Sequence, residues 1–317
     1  MLGIHGAGSA DHQGSDTMTT RSRGPLAGFG WLMRGINVGY RHPKPLLGGA
    51  AFLLLAAFLP ALITLPMQFR MQLAGVQPSP ATFGWIMAGS LLFALLVVPL
   101  YAGYLQVVDA AERGLPARAL DIFRPYRQGE ALRLIGYGLA MIVVYVALLG
   151  VVIAATGRGV ASWYAQVLAA QASHQPPPTA LPDGFGITMA LLMLVGLFMM
   201  GFYAISLGQV ALRGRNVFGA IGDGMVGALK NLLPLLVFAL SALLAWIVVI
   251  IALMIAGALL ALLAKLISPW LVLVVIVPLY IALLLALFSM MFGVMYHLWR
   301  DVCGDDVVTD MDAAIAA

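Results

Sequence analysis

Apolar positions run unbroken along six stretches of this chain, and the polar and charged positions gather between them. The stretches, 46–67, 83–107, 134–155, 187–207, 235–256 and 269–296, contain no Lys, Arg, Asp or Glu. Each reaches the ~20 residues that a helix rising 1.5 Å per residue needs to cross a ~30 Å hydrocarbon core. Such helices satisfy their own backbone groups in lipid, and the strict alternation of a membrane barrel is absent. The pattern predicts an all-α, polytopic membrane bundle of six spans. Between Leu232 and Trp299 the only charge is Lys265, followed closely by Ser268-Pro269. A tight hairpin of two long helices is expected there, the first bending near Gly257.

A second pattern lies just before each odd-numbered span. In 216–230 the apolar residues Val217, Ala220, Ile221, Met225, Ala228 and Leu229 follow helical spacing, with Asn216 as an N-cap. In 28–41, Phe29, Leu32, Met33, Ile36 and Tyr40 do the same, opposite Arg34, Asn37 and Arg41. The segment 116–130 is a poorer example, broken by Pro125. These segments are expected to lie as helices in a headgroup layer, basic side to the lipid phosphates.

Proline-bearing elbows follow two of them, His42-Pro43-Lys44-Pro45 and Asn231-Leu232-Leu233-Pro234. Ala111-Glu112-Arg113-Gly114 is matched by Ala211-Leu212-Arg213-Gly214, and Val98-Pro99-Leu100-Tyr101 by Val277-Pro278-Leu279-Tyr280. A threefold internal repeat is the inference, each unit an interfacial helix followed by two spans.

Composition agrees with the pattern. Residues are 62% hydrophobic and 9% charged, against roughly 45–50% and about 25% in an ordinary soluble domain. One cysteine, Cys303, excludes an internal disulfide framework and a multi-cysteine metal site. Charge decides orientation: of 17 Lys and Arg, only Arg70, Arg158 and Lys265 fall on one face and the other 14 on the opposite one. The positive-inside rule then puts both termini in the cytoplasm.

Residues 1–27 are expected to form a disordered tail without the basic and apolar regions of a cleavable signal, and Met18 is as good a start as Met1. Residues 301–317 carry Asp301, Asp305, Asp306, Asp310 and Asp312 without EF-hand spacing, which predicts a solvated acidic tail. The domain is thus 28–300.

The stretch Ala228-Leu229-Lys230-Asn231-Leu232-Leu233-Pro234, a Pro-Leu-Tyr span and the ending Tyr296-His297-Leu298-Trp299-Arg300-Asp301-Val302-Cys303-Gly304 resemble an uncharacterised family of proteobacterial six-span inner-membrane proteins. The opening Gly30-Trp31-Leu32-Met33-Arg34-Gly35 is similar to the amino-terminal part of that family. The likeness covers both ends of the chain and little of its middle. It implies a bacterial inner-membrane location and transfers no site residue. A more distant likeness is to the membrane domain of some glycerophosphodiester phosphodiesterases, without their soluble enzyme.

Candidate chemistry is thin. Gly222-Asp223-Gly224-Met225-Val226-Gly227 spells a dinucleotide fingerprint, but spans flank it where a βαβ unit is required. Gly35 with Gly39, and Gly84 with Ala88, are small-residue pairs suited to close helix packing. His297, Cys303, Asp301 and Asp305 mix metal-binding types without zinc spacing, and His297 beside Trp299 reads as an interfacial anchor. Gln106 and Gln209, near the ends of spans two and four, would make a paired polar gate if they faced each other. The loop 157–186 opens with an aromatic pair, Trp163-Tyr164, suited to headgroup depth, and continues into the stiff His174-Gln175-Pro176-Pro177-Pro178.

No catalytic, cofactor-binding or metal residue is assigned, and no enzyme is expected. The spans hold none of the ionisable groups that usually mark membrane function. The expected role is an envelope scaffold, a lipid-interacting protein or a complex subunit; the alternative is a transporter or channel for a neutral or apolar small molecule. Expected partners are membrane lipids with anionic headgroups at the cytoplasmic face, with a homo-oligomer or envelope partner left open and no nucleic acid. Reporter fusions after Gln77 and Gln175 should read the outside, and fusions after Arg118, Asn216 and Asp306 the inside. An outside signal after Asp306 contradicts six spans.

Overall fold

The computed structural model describes residues 20–73, 79–173, 175–268 and 270–304. These form ten α-helices and no strand. Six are long and apolar enough to span a membrane: α2 Pro43–Leu73, α3 Pro80–Glu112, α5 Ala131–Thr156, α7 Phe185–Arg213, α9 Leu232–Leu266 and α10 Trp270–Cys303. Four are short: α1 Ala27–Arg41, α4 Arg124–Arg127 after a 3-10 turn at Ala119–Phe123, α6 Arg158–Ala172 and α8 Val217–Lys230. The chain is a multi-pass membrane protein with an all-helical fold.

Each long helix outruns its apolar stretch, because helix formation continues through the flanking polar residues until something stops it. Gly114 and Gly214 stop α3 and α7 in the left-handed conformation, at φ +69° and +65°, which glycine adopts without a steric penalty. The N-cap at Asn216 is as expected, its side-chain oxygen accepting from Gly219 N–H at 2.7 Å. The expected amphipathic helix over 116–130 shrinks to the 3-10 turn and one turn of helix. Pro125, at the start of α4, lacks the N–H needed to continue a helix from the preceding turn. The aromatic pair at 163–164 lies within α6, where Trp163 meets Phe185 edge-on at 6.4 Å.

Apart from α6, inserted between the spans of the second pair, the order of elements repeats three times, and so does the packing. The second helices of the three pairs, α3, α7 and α10, touch one another. Outside them, α2 packs on α3 and α10, α5 on α7 and α3, and α9 on α10 and α7. The short elements link one pair to the next. The 3-10 turn packs on α2 and α3, α8 packs on α7 with a lesser contact to α5, and α1 closes the ring against α9 and α10.

Setting Pro45 against Pro234 aligns α1 with α8, so that Phe29 falls on Phe218, Ile36 on Met225 and Tyr40 on Leu229. All six are exposed and form matching apolar stripes. Gly35 falls on Gly224, and both lie where backbones meet. A Cβ on Gly35 would sit 2.8 Å from Val294 N, and one on Gly224 2.9 Å from Phe202 O. One paired motif is not a repeat position, however. Pro99 and Leu100 are buried near the end of α3, whereas Val277, Leu279 and Tyr280 lie exposed in the far half of α10.

The core is confined to the end carrying most of the basic residues. Trp31, Leu46, Leu53, Tyr104, Leu105, Ile122, Leu134, Tyr137, Phe202, Ile205, Phe292 and Tyr296 are almost completely buried there. The Tyr104 hydroxyl lies 2.9 Å from Leu46 O and 3.0 Å from Ser289 Oγ, and that of Tyr137 lies 2.7 Å from Ser206 Oγ. Towards the other end the pairs splay, and α9 is exposed along most of its length. There Thr188 Oγ1 donates to Thr156 O at 3.0 Å, a polar tie between α5 and α7.

The inner parts of both expected tails, residues 20–26 and 301–303, are held by the fold. Residues 20–26 are docked: Arg21 N–H donates to Val302 O at 2.9 Å, Arg23 N–H to Asn231 Oδ1 at 2.8 Å, and Lys230 Nζ to Thr20 O at 3.0 Å. At the other end α10 continues to Cys303, because Asp301 finds partners on α1 rather than water. The rest of both tails lies outside the described residues.

Gly35→Ala should cost about 1–3 kcal/mol, the usual scale of overpacking, since backbone as well as the Val294 side chain occupies the space. Gly30→Ala, with nothing within 4 Å of its Cβ, should leave stability unchanged or slightly raised. Thermal unfolding of the two variants in detergent compares them; equal midpoints would contradict the packing.

Candidate functional site

The apolar spans leave chemistry only to the groups collected at their basic ends. Helix α1 has three faces, set about a third of a turn apart by its 3.6-residue period. Trp31, Leu32, Gly35 and Val38 are buried against the spans, while Phe29, Met33, Ile36 and Tyr40 are exposed. Arg34, Asn37 and Arg41 form the third.

That polar face meets Glu112, the last residue of α3, and His297 of α10 around a cavity of about 90 Å³ lined by Arg34, Asn37, Val38, Arg41, Glu112 and His297. His297 is only 4% exposed, and neither ring nitrogen has a hydrogen-bond partner. Its Nε2 lies 3.7 Å from Glu112 Oε2, too long for a hydrogen bond. The Glu112 side chain is itself largely buried. The expectation of His297 and Trp299 as interfacial anchors is overturned, since the two point into the bundle at 4% and 3% exposure.

Asp301 fixes the position of α1 over this cavity. It accepts from Trp31 Nε1 at 2.8 Å and from Arg34 Nη1 at 3.2 Å, with Arg34 Nη2 on its other oxygen. Its backbone carbonyl accepts from Arg23 Nε at 2.7 Å. Asn231 ties the same tail to α8, donating from Nδ2 to Arg21 O and Gly227 O. Arg34 is therefore neutralised by a bidentate partner, and Arg41 is the cation at the cavity without an ion pair or hydrogen bond among the described residues.

A second cluster is fully spent. Asp223 of α8 accepts from Arg215 Nε and Gln209 Nε2, both at 2.9 Å, and Gln209 Oε1 faces Trp299 Nε1 at 3.4 Å. Gln106 donates instead to Ala211 O at 3.0 Å. The two glutamines thus do not face each other, and no gate forms between them. Arg133 donates to Gly214 O and Val210 O, satisfying terminal carbonyls of α7.

The other sequence candidates resolve as packing. In the glycine motif, Gly224 and Gly227 face Phe202 and Ile205 of α7, which accounts for the spacing. Gly35 meets α10 within the chain, whereas Gly84 has open space around it and supports no helix contact. Among the described residues no three His, Cys, Asp or Glu are grouped to hold a metal ion; Asp305 lies outside them.

The cavities between paired spans are largely apolar. One of about 690 Å³ between α2 and α3 is lined by Phe52, Leu59, Phe93, Leu100, Phe123 and Tyr126, and shares Phe93 with a second of about 400 Å³ near Thr64, Trp85 and Ser90. A third of about 510 Å³ lies between α9 and α10 around Gly257 and Tyr280.

These features define a helical multi-pass membrane protein with a packed polar end and apolar clefts between paired spans. No family model, curated protein or solved structure matches the chain. Sequence reading found the Arg34, Asn37 and Arg41 stripe and found His297, but separately. Nothing in a single sequence joins positions as distant as 34, 112 and 297. The available signal was that His297 interrupts an otherwise apolar run.

Asp301→Ala should cost about 1–3 kcal/mol, because it leaves the buried Trp31 N–H without an acceptor. Arg127→Ala removes an exposed pair with Asp121 at 3.6 Å and should cost no more than about 1 kcal/mol. Equal losses in denaturant melts would contradict the anchoring role of Asp301.

Proposed function

We propose that this chain is a lipid-interacting protein of a bacterial inner membrane, non-catalytic, with its basic end and both termini in the cytoplasm. The observation that carries the reading is the pair of matched apolar stripes on α1 and α8, exposed at the same end as most of the basic residues. A stripe of Phe, Ile, Met, Leu and Tyr beside Arg and Lys suits the boundary between acyl chains and anionic headgroups. The apolar clefts between α2 and α3 and between α9 and α10 add surface that acyl chains fill at no desolvation cost. The resemblance to proteobacterial inner-membrane proteins favours the same location, and a scaffold or complex-subunit role is compatible with it.

A second reading, passage of a neutral or apolar small molecule, draws on one feature. The spans splay towards the end opposite the basic one, and the cleft there includes Thr64 and Ser90. No charge inside the spans supports coupling to an ion gradient.

Spin labels at Ile36 and Phe218 should show lipid-depth accessibility, and purified protein should carry phospholipid through detergent exchange. Free access of an aqueous quencher to both sites, with no retained lipid, would refute the lipid reading. In sealed proteoliposomes no solute uptake should depend on an imposed pH or sodium gradient. Uptake that vanishes when the gradient collapses would favour transport instead.

A further inference from the structure

We infer that the cavity between α1, α3 and α10 binds a phosphate ester bearing a primary ammonium group, the chemistry of a phosphoethanolamine headgroup. The inference rests on the lipid-interacting reading and adds a ligand to it. Its starting point is His297, 4% exposed, with neither ring nitrogen hydrogen-bonded and the ring on the wall of a cavity. A buried polar group without a partner costs free energy, so its persistence here points to a ligand group that supplies one.

Charge selects the ligand. Arg34 is neutralised by Asp301, which leaves Arg41 and Glu112 as one positive and one negative group on the same cavity. An anion alone would gain Arg41 and be repelled by Glu112, and a cation alone would meet the reverse. A zwitterion of phosphate and ammonium satisfies both. The phosphate oxygens accept from Arg41, Asn37 and a neutral His297 N–H, while the ammonium donates to Glu112. At about 90 Å³ the space is well above the ~15 Å³ that one water needs. Its mouth is at headgroup depth, since Arg41 and the outer face of Arg34 are exposed where α3 ends. A trimethylated ammonium has no N–H for Glu112 and is excluded by the same logic.

The test is native mass spectrometry of the full chain released from nanodiscs. They contain equal parts phosphatidylethanolamine, phosphatidylglycerol and phosphatidylcholine with identical acyl chains. The first bound lipid should be phosphatidylethanolamine, favoured about tenfold over each of the others, the scale of one charge-assisted hydrogen bond. Glu112→Gln should abolish that preference while lipid is still carried. Arg41→Gln should lower occupancy of the first site for all three lipids; being at an exposed position, it keeps the test standing if Glu112→Gln does not fold. Displacement by free O-phosphoethanolamine assigns recognition to the headgroup alone, and its failure assigns the site to the membrane lipid; both support the inference. Equal binding of the three lipids by the unaltered protein, a preference unchanged by Glu112→Gln, or a first-site occupancy unchanged by Arg41→Gln overturns it. Lipid retained without headgroup preference sinks only this inference, whereas absence of retained lipid sinks the broader reading with it.

Discussion

Helices in a bilayer gain nothing from burying apolar surface against one another, because lipid tails are as apolar as leucine. What holds them is close contact and the few polar bonds made where backbones approach, and this fold places those at one end. Gly35 brings α1 onto the backbone of α10, Gly224 brings α8 onto α7, and a Cβ on Gly103 would sit 1.9 Å from Ile122 O of the 3-10 turn. The last two seat a short element on spans before it in sequence, and the first seats α1 on the last pair. Because α1 sits on α9 and α10, the seating closes a ring, and the amino-terminal element fixes the carboxy-terminal span.

The closed ring explains why the molecule has two unlike ends. At the basic end, hydroxyls and amides are buried and nearly all partnered, since an unpaired group among packed helices costs more than one facing water. At the other end leucine, isoleucine and valine of α9 and α10 face outward, which in lipid carries no penalty. The clefts between paired spans follow from the same imbalance: with no drive to expel lipid, α2 and α3 part, and the Thr64 hydroxyl in the cleft turns back to Pro60 O of its own helix.

The spans were legible because a charge in lipid is costly and this chain has none to spend there. The capping role of Asn216 and the exposed apolar stripe of α1 were legible for equally local reasons. What escaped was whatever depends on closure. The sequence shows that α1 is amphipathic but cannot say that its inner face meets α10, so Asp301 read as part of a solvated tail and His297 as a surface anchor. Matching Val98-Pro99-Leu100-Tyr101 to Val277-Pro278-Leu279-Tyr280 failed for a different reason. Apolar tetrapeptides recur by chance in lipid-facing helices, whereas Gly35 and Gly224 recur because both must admit a neighbouring backbone.

The repeat also shows which unit keeps polar groups without partners. With Pro45 set on Pro234, Arg34 falls on Asp223, and each is held by a counter-charge: Asp301 of α10 for the first and Arg215, just past the end of α7, for the second. Around Asp223 the polar groups are consumed by one another, with Gln209 and Trp299 completing the set. Around Arg34 they are not, and His297, Glu112 and Arg41 are left facing a cavity. Two sites built by the same packing rule thus differ in one respect: the first leaves polar capacity unspent. A repeat needs only mutual satisfaction to fold, so the unit that departs from it is the one with chemistry to offer a ligand.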